Sequence, residues 1–271
     1  MNDSALTLTA GAVLLSVWFV AAWRLAVRLD NYALVDVAWA LAFAPVATLY
    51  AALGDGWGPR RLLIAALVAA WSLRLGLYLW RRVARHHPAE DARYRVLRSH
   101  WQDRLAANFL GFFLGQGLLV WLLMLPVFWI ARQPGADFHP LEIAGFALWF
   151  VGLAGEGLAD RQLARFKVAH RDDPQALCQE GLWAWSRHPN YFFQSLLWWG
   201  LFLAALPAPG GWSAILAPLA MLWFLIKFTG IPLTEALALE KRGDRYRDYQ
   251  RNVSAFIPWP RTSPRDGKTN A

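Results

Sequence analysis

A polar and aromatic segment, Ser186 to Tyr191, lies immediately before an apolar run from Phe192 to Leu206. It reads Ser-Arg-His-Pro-Asn-Tyr and so combines a guanidinium, an imidazole, an amide and a phenol. A guanidinium binds phosphate oxygens in a bidentate fork, and aromatic rings attract cations and flat ring systems. The segment is therefore a candidate for holding an anionic cofactor against a lipid-soluble substrate.

Four further side chains lie on shared faces within apolar segments. Asp36 precedes Trp39 by three residues, and Arg74 precedes Tyr78 by four, so each pair shares one helix face. A charge at mid-bilayer costs about 2.5 to 3.5 kcal/mol on insertion scales, so it normally faces a partner or a wet cavity. Two interpretations stay open: a cytoplasm-facing cavity lined by all four, or a plain interhelical ion pair between Asp36 and Arg74.

Other polar residues are expected at the same membrane face. They lie at 93–108, 160–167 and 187–191, and together they predict a basic, aromatic-rimmed mouth above an apolar pocket. Such a mouth suits a phosphorylated nucleotide. The sequence has no Gly-x-Gly-x-x-Gly after a strand and no strand pattern, so a Rossmann domain is excluded and helices and loops must hold any dinucleotide.

The composition indicates what positions these side chains. Hydrophobic residues make up 57% of the 271 residues, Trp occurs 17 times, and the mean hydropathy is +0.27, which is not typical of a soluble domain. We predict an all-α integral membrane protein that forms a single domain over residues 1–271. Seven apolar runs have the length of transmembrane helices or nearly so. They lie near 5–23, 33–53, 62–80, 109–130, 141–157, 192–208 and 212–233.

The distribution of Lys and Arg predicts the orientation. Of 27 such residues, 22 follow the first, third, fifth or seventh run, whereas only Arg60, Arg61 and Arg132 lie on the opposite side. The positive-inside rule therefore predicts an N-out, C-in protein with its active site on the cytoplasmic side. The bias towards Ala, Leu, Arg and Trp indicates a bacterial inner membrane.

Several other classes of function are disfavoured. The single cysteine, Cys178, cannot form an internal disulfide. The six His are scattered, so no metal site is predicted. The net charge of +8 comes from short loops beside the membrane that also carry acids, which favours anionic membrane lipid over nucleic acid as the partner. A bundle of this size needs no second copy to close its core, so a monomer is expected.

The motifs across the chain identify a resemblance. The stretches that carry it are 181–191 (GLWAWSRHPNY), 197–200 (LWWG), 246–249 (YRDY), 255–258 (AFIP), 35–39 (VDVAW) and 90–94 (EDARY). From about residue 30 to 260 the chain resembles the steroid 5α-reductase family, and most closely its bacterial members.

The resemblance implies an NADPH-dependent membrane reductase that saturates the carbon–carbon double bond of a Δ4-3-ketosteroid such as testosterone or progesterone. Hydride arriving at the β-carbon leaves negative charge on the ketone oxygen, so a donor is needed there. By this resemblance Tyr78 is the catalytic donor. Asp36 is its catalytic partner, although the steroid-processing eukaryotic members have Gln-Glu where this chain has Val35-Asp36. Trp39 and Arg74 are then expected to bind the substrate.

The same resemblance assigns the cofactor site, most of it to about residues 141–260. The expected NADPH-binding residues are Arg93, Tyr94, Asn108, Glu156, Asp160, Lys167, Arg187, His188, Asn190, Tyr191, Glu235, Glu240, Tyr246 and Tyr249. The family's basic and histidine cluster after the last span does not transfer, because this chain has Glu235 and Glu240 there, and the roles of these two glutamates stay open.

Two rival functions stay open. Membrane methyltransferases of the isoprenylcysteine and phospholipid type, which use S-adenosylmethionine, share an Arg-His-Pro-x-Tyr stretch, a Tyr-rich tail and glutamates that Glu235 and Glu240 would match. Two features argue against this rival: those methyltransferases usually have fewer spans than this chain, and they lack the region that carries Asp36 and Tyr78. The other rival is a catalytically inactive sterol-binding relative, which the complete polar set disfavours.

Overall fold

The computed structural model describes residues 3–228 and 230–260, and within these ranges the chain forms helices and no strand. The chain divides into two compact units. The N-terminal unit comprises the residues up to His139 together with Ala205–Ala217. The C-terminal unit comprises Pro140–Ala204 and the residues from Pro218 onwards.

Eleven α-helices are present in the described ranges. They are α1 (Asp3–Arg28), α2 (Leu34–Leu53), α3 (Gly58–His86), α4 (Ala92–His100), α5 (Leu105–Leu123), α6 (Leu125–Ile130), α7 (Pro140–Ala169), α8 (Pro189–Ala205), α9 (Leu216–Trp223), α10 (Ile231–Arg242) and α11 (Asp244–Asn252). A π-helical turn, Phe224–Phe228, follows α9, and a short 3-10 turn, Gly181–Ala184, precedes α8.

The helical composition confirms an all-α protein with membrane-spanning character. Six helical stretches in the described ranges are long and apolar enough to cross a bilayer: Asp3–Arg28, Leu34–Leu53, Gly58–His86, Gln102–Ile130, Pro140–Ala169 and Gly211–Arg242. Most of the run expected near 192–208 lies in α8 (Pro189–Ala205), which has 17 residues and is not among these six. A seventh crossing, the N-out, C-in orientation and the single domain stay predictions.

Trp side chains tie α1 to its neighbours in the N-terminal unit. The indole N–H of Trp18 donates to the carbonyl of Ala38 in α2 at 2.9 Å. Trp121 of α5 donates in the same way to the carbonyl of Leu8 at 3.0 Å. Because lipid tails offer no hydrogen-bond acceptors, an indole N–H within a membrane-spanning helix is stabilised by an acceptor from the protein. The first bond fixes α2, the helix that carries Asp36, against α1, and the second fixes α5 against α1.

Ser72 of α3 joins α3 to α2 next to a proline. Pro45 lies inside α2 and cannot donate a backbone hydrogen bond. One turn earlier, the Ser72 hydroxyl donates to the carbonyl of Ala40 at 2.6 Å and accepts from the N–H of Ala44 at 3.2 Å. The hydroxyl thus bridges two backbone groups of α2. This contact fixes the position of Asp36 on α2 relative to Tyr78 on α3.

Close packing of glycines joins α7 to α8 in the C-terminal unit. A Cβ atom placed on Gly145 would lie 2.5 Å from the carbonyl oxygen of Gly200 and 2.5 Å from the backbone nitrogen of Ala204. A Cβ on Gly200 would lie 2.6 Å from the carbonyl oxygen of Gly145. Small residues allow such close approach of helix backbones in membranes. The contact positions α8, whose N-terminus carries Pro189 and Asn190.

We expect Gly145→Ala to destabilise the protein, because the added methyl would collide with backbone atoms that cannot rotate away. Overpacking of this kind costs about 1 to 3 kcal/mol. Gly157→Ala on the same helix is the matched control, since a Cβ there meets nothing within 4 Å. Thermal unfolding in detergent should show a lower midpoint for Gly145→Ala only. Equal midpoints for the two variants would refute the close packing.

Candidate functional site

A cavity of about 520 Å³ lies in the C-terminal unit, within the usual volume range of small-molecule sites. Its wall is built from α7, the segment 173–178, the loop before α8, and the helices α10 and α11. Seven of the expected cofactor residues line it: Lys167, Arg187, His188, Asn190, Tyr191, Tyr246 and Tyr249. The structure thus brings the polar segment before α8 together with the tyrosine-rich tail.

Cations outnumber acids in this wall. Besides Lys167 and Arg187, the cationic lining residues are Arg171, Lys241 and Arg242, whereas Asp173 is the one acid among the residues that line the cavity. The Nε–H of Arg242 donates to the carbonyl of Ala176 at 3.2 Å. The wall therefore has a net positive charge and favours a negatively charged ligand.

Aromatic rings complete the wall of the cavity. Phe166 of α7 and His170, in the turn directly after that helix, stack with ring centroids 4.1 Å apart. His188 and Tyr191 stack in parallel, with centroids 5.4 Å apart. Burial raises the pKa of the Tyr246 phenol to about 12, so this hydroxyl stays protonated and able to donate at neutral pH. The cavity therefore offers flat surfaces for rings beside cations for acidic groups.

The Arg187 guanidinium is held by a buried network. Its Nε donates to Glu235 at 2.7 Å, and its Nη1 donates to the carbonyls of Gln250 at 3.0 Å and Val253 at 2.5 Å. His188 Nε2 lies 3.2 Å from the same Glu235 oxygen, and the Gln250 amide donates to the other oxygen at 2.8 Å. Glu235 therefore acts as the acceptor that orients the Arg-His pair, a role the sequence left open.

The tail beyond α11 is bonded to the loop that carries the Arg-His pair. The N–H of Arg187 donates to the carbonyl of Ser254 at 2.8 Å, and the Ser186 hydroxyl donates to the carbonyl of Phe256 at 2.8 Å. The N–H of Trp259 donates to the carbonyl of Trp185 at 2.9 Å. The loop thus takes its shape from residues about 70 positions later in the chain.

The remaining expected cofactor residues of this unit do not line the cavity. Asp160 is exposed and accepts a hydrogen bond from the Asn190 amide at 3.3 Å. Glu156 is buried, at 7% exposure, and Glu240 is exposed. Asp160 bonds a lining residue, as Glu235 does, so it positions Asn190 rather than facing the cavity itself.

Sequence reasoning missed several residues that line the cavity. His170 and Arg171 lie in the turn directly after α7, and Lys241 and Arg242 follow Ala238 by three and four positions on α10. Residues at such spacings on one helix share a face, so helix periodicity could have grouped Lys241 and Arg242 with Ala238. Cys178 also lines the cavity, and burial raises the pKa of its thiol.

A second polar cluster lies in the N-terminal unit around Asp36. Arg93 donates to one oxygen of the Asp36 carboxylate at 2.8 Å, and the Tyr94 hydroxyl donates to the other at 2.5 Å. Burial, with the neighbouring Asp36 charge, raises the pKa of Tyr94 well above its ordinary value, so the phenol stays protonated. Arg93 and Tyr94 are thus the partners of Asp36, whereas the sequence suggested Arg74.

The other residues expected to surround Asp36 are placed differently. A cavity of about 450 Å³ lies beside Asp36. The residues of α3 that line it lie between Leu79 and His86, and Trp39, Arg74 and Tyr78 do not line it. Tyr78 is 63% exposed, and Arg74 and Asn108 are also exposed. The Trp39 indole N–H is buried and has no hydrogen-bond partner among the described residues.

Chemically, the two clusters offer donors and cations rather than a metal site. Among the described residues, no group of three His, Cys, Asp or Glu side chains could hold a metal ion. The C-terminal cavity offers cations, amide and phenol donors and stacked rings. The N-terminal cluster offers a phenol whose proton is oriented by a carboxylate.

Comparison with known proteins identifies one family and two distant relatives. The profile of a family described as "Protein of unknown function (DUF1295)" matches residues 22–253. An uncharacterized protein of Schizosaccharomyces pombe is 28% identical over 269 aligned residues, which cover 87% of this chain and 75% of that protein. Methanethiol S-methyltransferase of Mycobacterium tuberculosis is 29% identical over 157 residues, which cover 52% of this chain and 57% of that enzyme. No solved structure matches the chain.

Proposed function

The chain belongs to the DUF1295 family, which is related to the membrane superfamily of steroid 5α-reductases and isoprenylcysteine methyltransferases, and we propose that it is an NADPH-dependent reductase. Its substrate is a lipophilic molecule with a carbon–carbon double bond conjugated to a ketone, such as a 3-oxo-Δ4 steroid. The observation that carries this proposal is the excess of cations in the cavity of the C-terminal unit.

The charge of the cavity favours NADPH over S-adenosylmethionine, the cofactor of the rival methyltransferases. NADPH carries several negative phosphate charges, whereas S-adenosylmethionine carries a sulfonium, an ammonium and one carboxylate and is a net cation. A wall with Lys167, Arg171, Lys241 and Arg242 against Asp173 attracts the first and repels the second. In this proposal the four cations hold phosphates, and the Phe166–His170 and His188–Tyr191 stacks hold the rings.

The chemistry assigns separate roles to the residues of the N-terminal unit. Bound NADPH would supply the hydride for the β-carbon of the substrate, and a proton from a side chain or water would complete the reduction at the α-carbon. Tyr78, which is exposed and has no hydrogen-bond partner described in the structure, donates to the ketone oxygen where negative charge develops. Asp36 is bonded to Arg93 and Tyr94, so it orients the Tyr94 phenol instead of donating a proton itself. Trp39 offers a further buried donor for the substrate.

A second candidate function rests on one specific observation, the similarity to a methanethiol S-methyltransferase. In that case the C-terminal cavity binds S-adenosylmethionine, and Glu235 and Glu240 help to offset its positive charge. Glu235, however, is engaged with Arg187, His188 and Gln250, and Glu240 does not line the cavity. The charge of the wall therefore supports the reductase better.

We expect Tyr78→Phe and Asp36→Asn each to lower steady-state turnover of progesterone or testosterone by more than tenfold. The first change removes the donor to the ketone oxygen, and losing one such donor costs about 100-fold or more in other enzymes. The second weakens the bonds that orient Tyr94. The measurement is NADPH consumption by purified protein in detergent, with the product identified by mass.

Both variants should remain folded at the assay temperature, which separates catalysis from folding. Tyr32→Phe is a poor control because that ring stacks on Phe109 in the core, so Trp80→Phe, at an exposed aromatic position on α3 that lines neither cavity, serves as the comparison. Near-normal turnover in both Tyr78→Phe and Asp36→Asn would contradict this catalytic assignment.

A further inference from the structure

The cavity of about 450 Å³ in the N-terminal unit lies between the start of α2, the end of α3 and α4. Its charged lining residues are Asp36, Glu90 and Asp91, together with Arg82, His86 and Arg95. The rest of its wall is mostly aliphatic, from residues such as Leu79 and Val83. None of the roles proposed above uses Arg82, His86 or Arg95.

The three carboxylates of this cavity already have donors within the protein. Arg93 and Tyr94 occupy the two oxygens of Asp36. Asp91 accepts from Arg93 at one oxygen and from Arg82 at the other. Because the positive charges of Arg93 and Arg82 lie within 3.1 Å of these carboxylates, they offset the negative charge that would attract a further cation.

Glu90 is paired in the same way. Arg98 Nε donates to one oxygen at 3.1 Å, and the backbone N–H of Tyr32 donates to the other at 2.6 Å. The Glu90 side chain is only 6% exposed. Three arginines, namely Arg82, Arg93 and Arg98, are thus engaged by the carboxylates around the cavity, and Arg98 also bonds Asp30 at 2.8 Å.

Arg95 is the cation left over. It lines the cavity, it is exposed, and no hydrogen bond or ion pair of its side chain is described in the structure. His86 donates its Nδ1–H to the carbonyl of Arg82 at 2.8 Å, so its Nε2 is an acceptor. The cavity therefore offers one uncommitted cation, Arg95, with an aliphatic wall beside it.

We propose that this cavity binds the anionic headgroup of a membrane phospholipid, with Arg95 facing its phosphate and the Nε2 of His86 accepting from a headgroup hydroxyl. The end of a membrane-spanning helix is where lipid headgroups lie, and the cavity includes the last turns of α3, which is a candidate span. Basic pockets between such helices bind anionic lipid headgroups. The aliphatic wall from Leu79 and Val83 suits the glycerol and the first methylenes of the lipid.

Native mass spectrometry of the purified protein tests the proposal, with dioleoyl phosphatidylglycerol and dioleoyl phosphatidylcholine as probes. The unmodified protein should retain phosphatidylglycerol in preference to phosphatidylcholine. Arg95→Gln should weaken phosphatidylglycerol binding about fivefold, the value expected for losing one cation near a lipid surface. Arg95→Lys should restore most of the binding, because a phosphate accepts either cation.

Arg85→Gln is the matched control, since Arg85 is an exposed cation near the same end of α3 that does not line the cavity. It should bind phosphatidylglycerol as the unmodified protein does. Equal losses in Arg85→Gln and Arg95→Gln would indicate diffuse surface charge and overturn the site. Displacement of phosphatidylglycerol by an equal concentration of inorganic phosphate would assign the cavity to a soluble anion instead, which also overturns the proposal.

Discussion

Arg187→Ala should unfold the C-terminal unit at a much lower temperature than the unmodified protein. Truncation would leave Glu235 and the carbonyls of Gln250 and Val253 without their donor, at a site where the Arg187 side chain is 8% exposed. Breaking a buried ion pair from one side costs about 3 to 5 kcal/mol. Differential scanning fluorimetry in detergent is the measurement.

The matched control for this prediction is Arg251→Ala in α11. Arg251 pairs with Asp248, but its side chain is 72% exposed, and an exposed pair contributes less than about 1 kcal/mol. Arg187→Lys should recover little stability, because an ammonium cannot reach Glu235 and two carbonyls at once in the way a guanidinium does. If Arg187→Ala unfolds at the same temperature as Arg251→Ala, the network around Glu235 does not hold the unit together.

Reversing two charges of the C-terminal cavity should weaken NADPH binding about 100-fold or more. The variant is Lys167→Glu combined with Lys241→Glu, which replaces two cations in the wall by acids. Hydrogen bonds to charged groups contribute about 1.5 to 3 kcal/mol each, so the loss of two corresponds to at least this factor. Isothermal titration of NADPH into the purified protein is the measurement.

Arg165→Glu combined with Arg247→Glu changes the net charge by the same amount at exposed positions that do not line the cavity. This control variant should bind NADPH within about twofold of the unmodified protein, because exposed charges are screened by salt. Similar losses in the two double variants would mean that overall charge, and not the cavity, determines affinity. If only the cavity variant loses affinity, titration with NADH, which lacks the 2′-phosphate, shows whether Lys167 and Lys241 contact the 2′-phosphate or the pyrophosphate.

Hydropathy predicted the helical class and most of the spans because a bilayer imposes a long apolar run on each crossing helix. The run near 192–208 shows the limit of this rule, since α8 has 17 residues and begins at Pro189. Length alone does not decide whether such a helix crosses. The orientation was predicted in part from Arg60. In the structure this side chain is buried and donates to the carbonyls of Gln133, Gly135 and Asp137.

The composition of the candidate site was more predictable than its contacts. Lys167, His188 and Tyr191 were identified from residue type and position, and they line one cavity. The bonds from Gln250 to Glu235 and from Ser186 to the Phe256 carbonyl were not predicted, because they join residues far apart in the chain. Helix periodicity relates only residues within a few turns of one another.

The most direct test of the proposed reductase is a titration of NADPH and of S-adenosylmethionine into the same preparation, followed by addition of progesterone to the better-bound cofactor. We expect NADPH to bind and S-adenosylmethionine not to bind, since the cavity wall carries Lys167, Arg171, Lys241 and Arg242 against Asp173. Progesterone should then consume NADPH and give a product heavier by two hydrogens. Binding of S-adenosylmethionine without binding of NADPH would contradict the reductase and favour the methyltransferase.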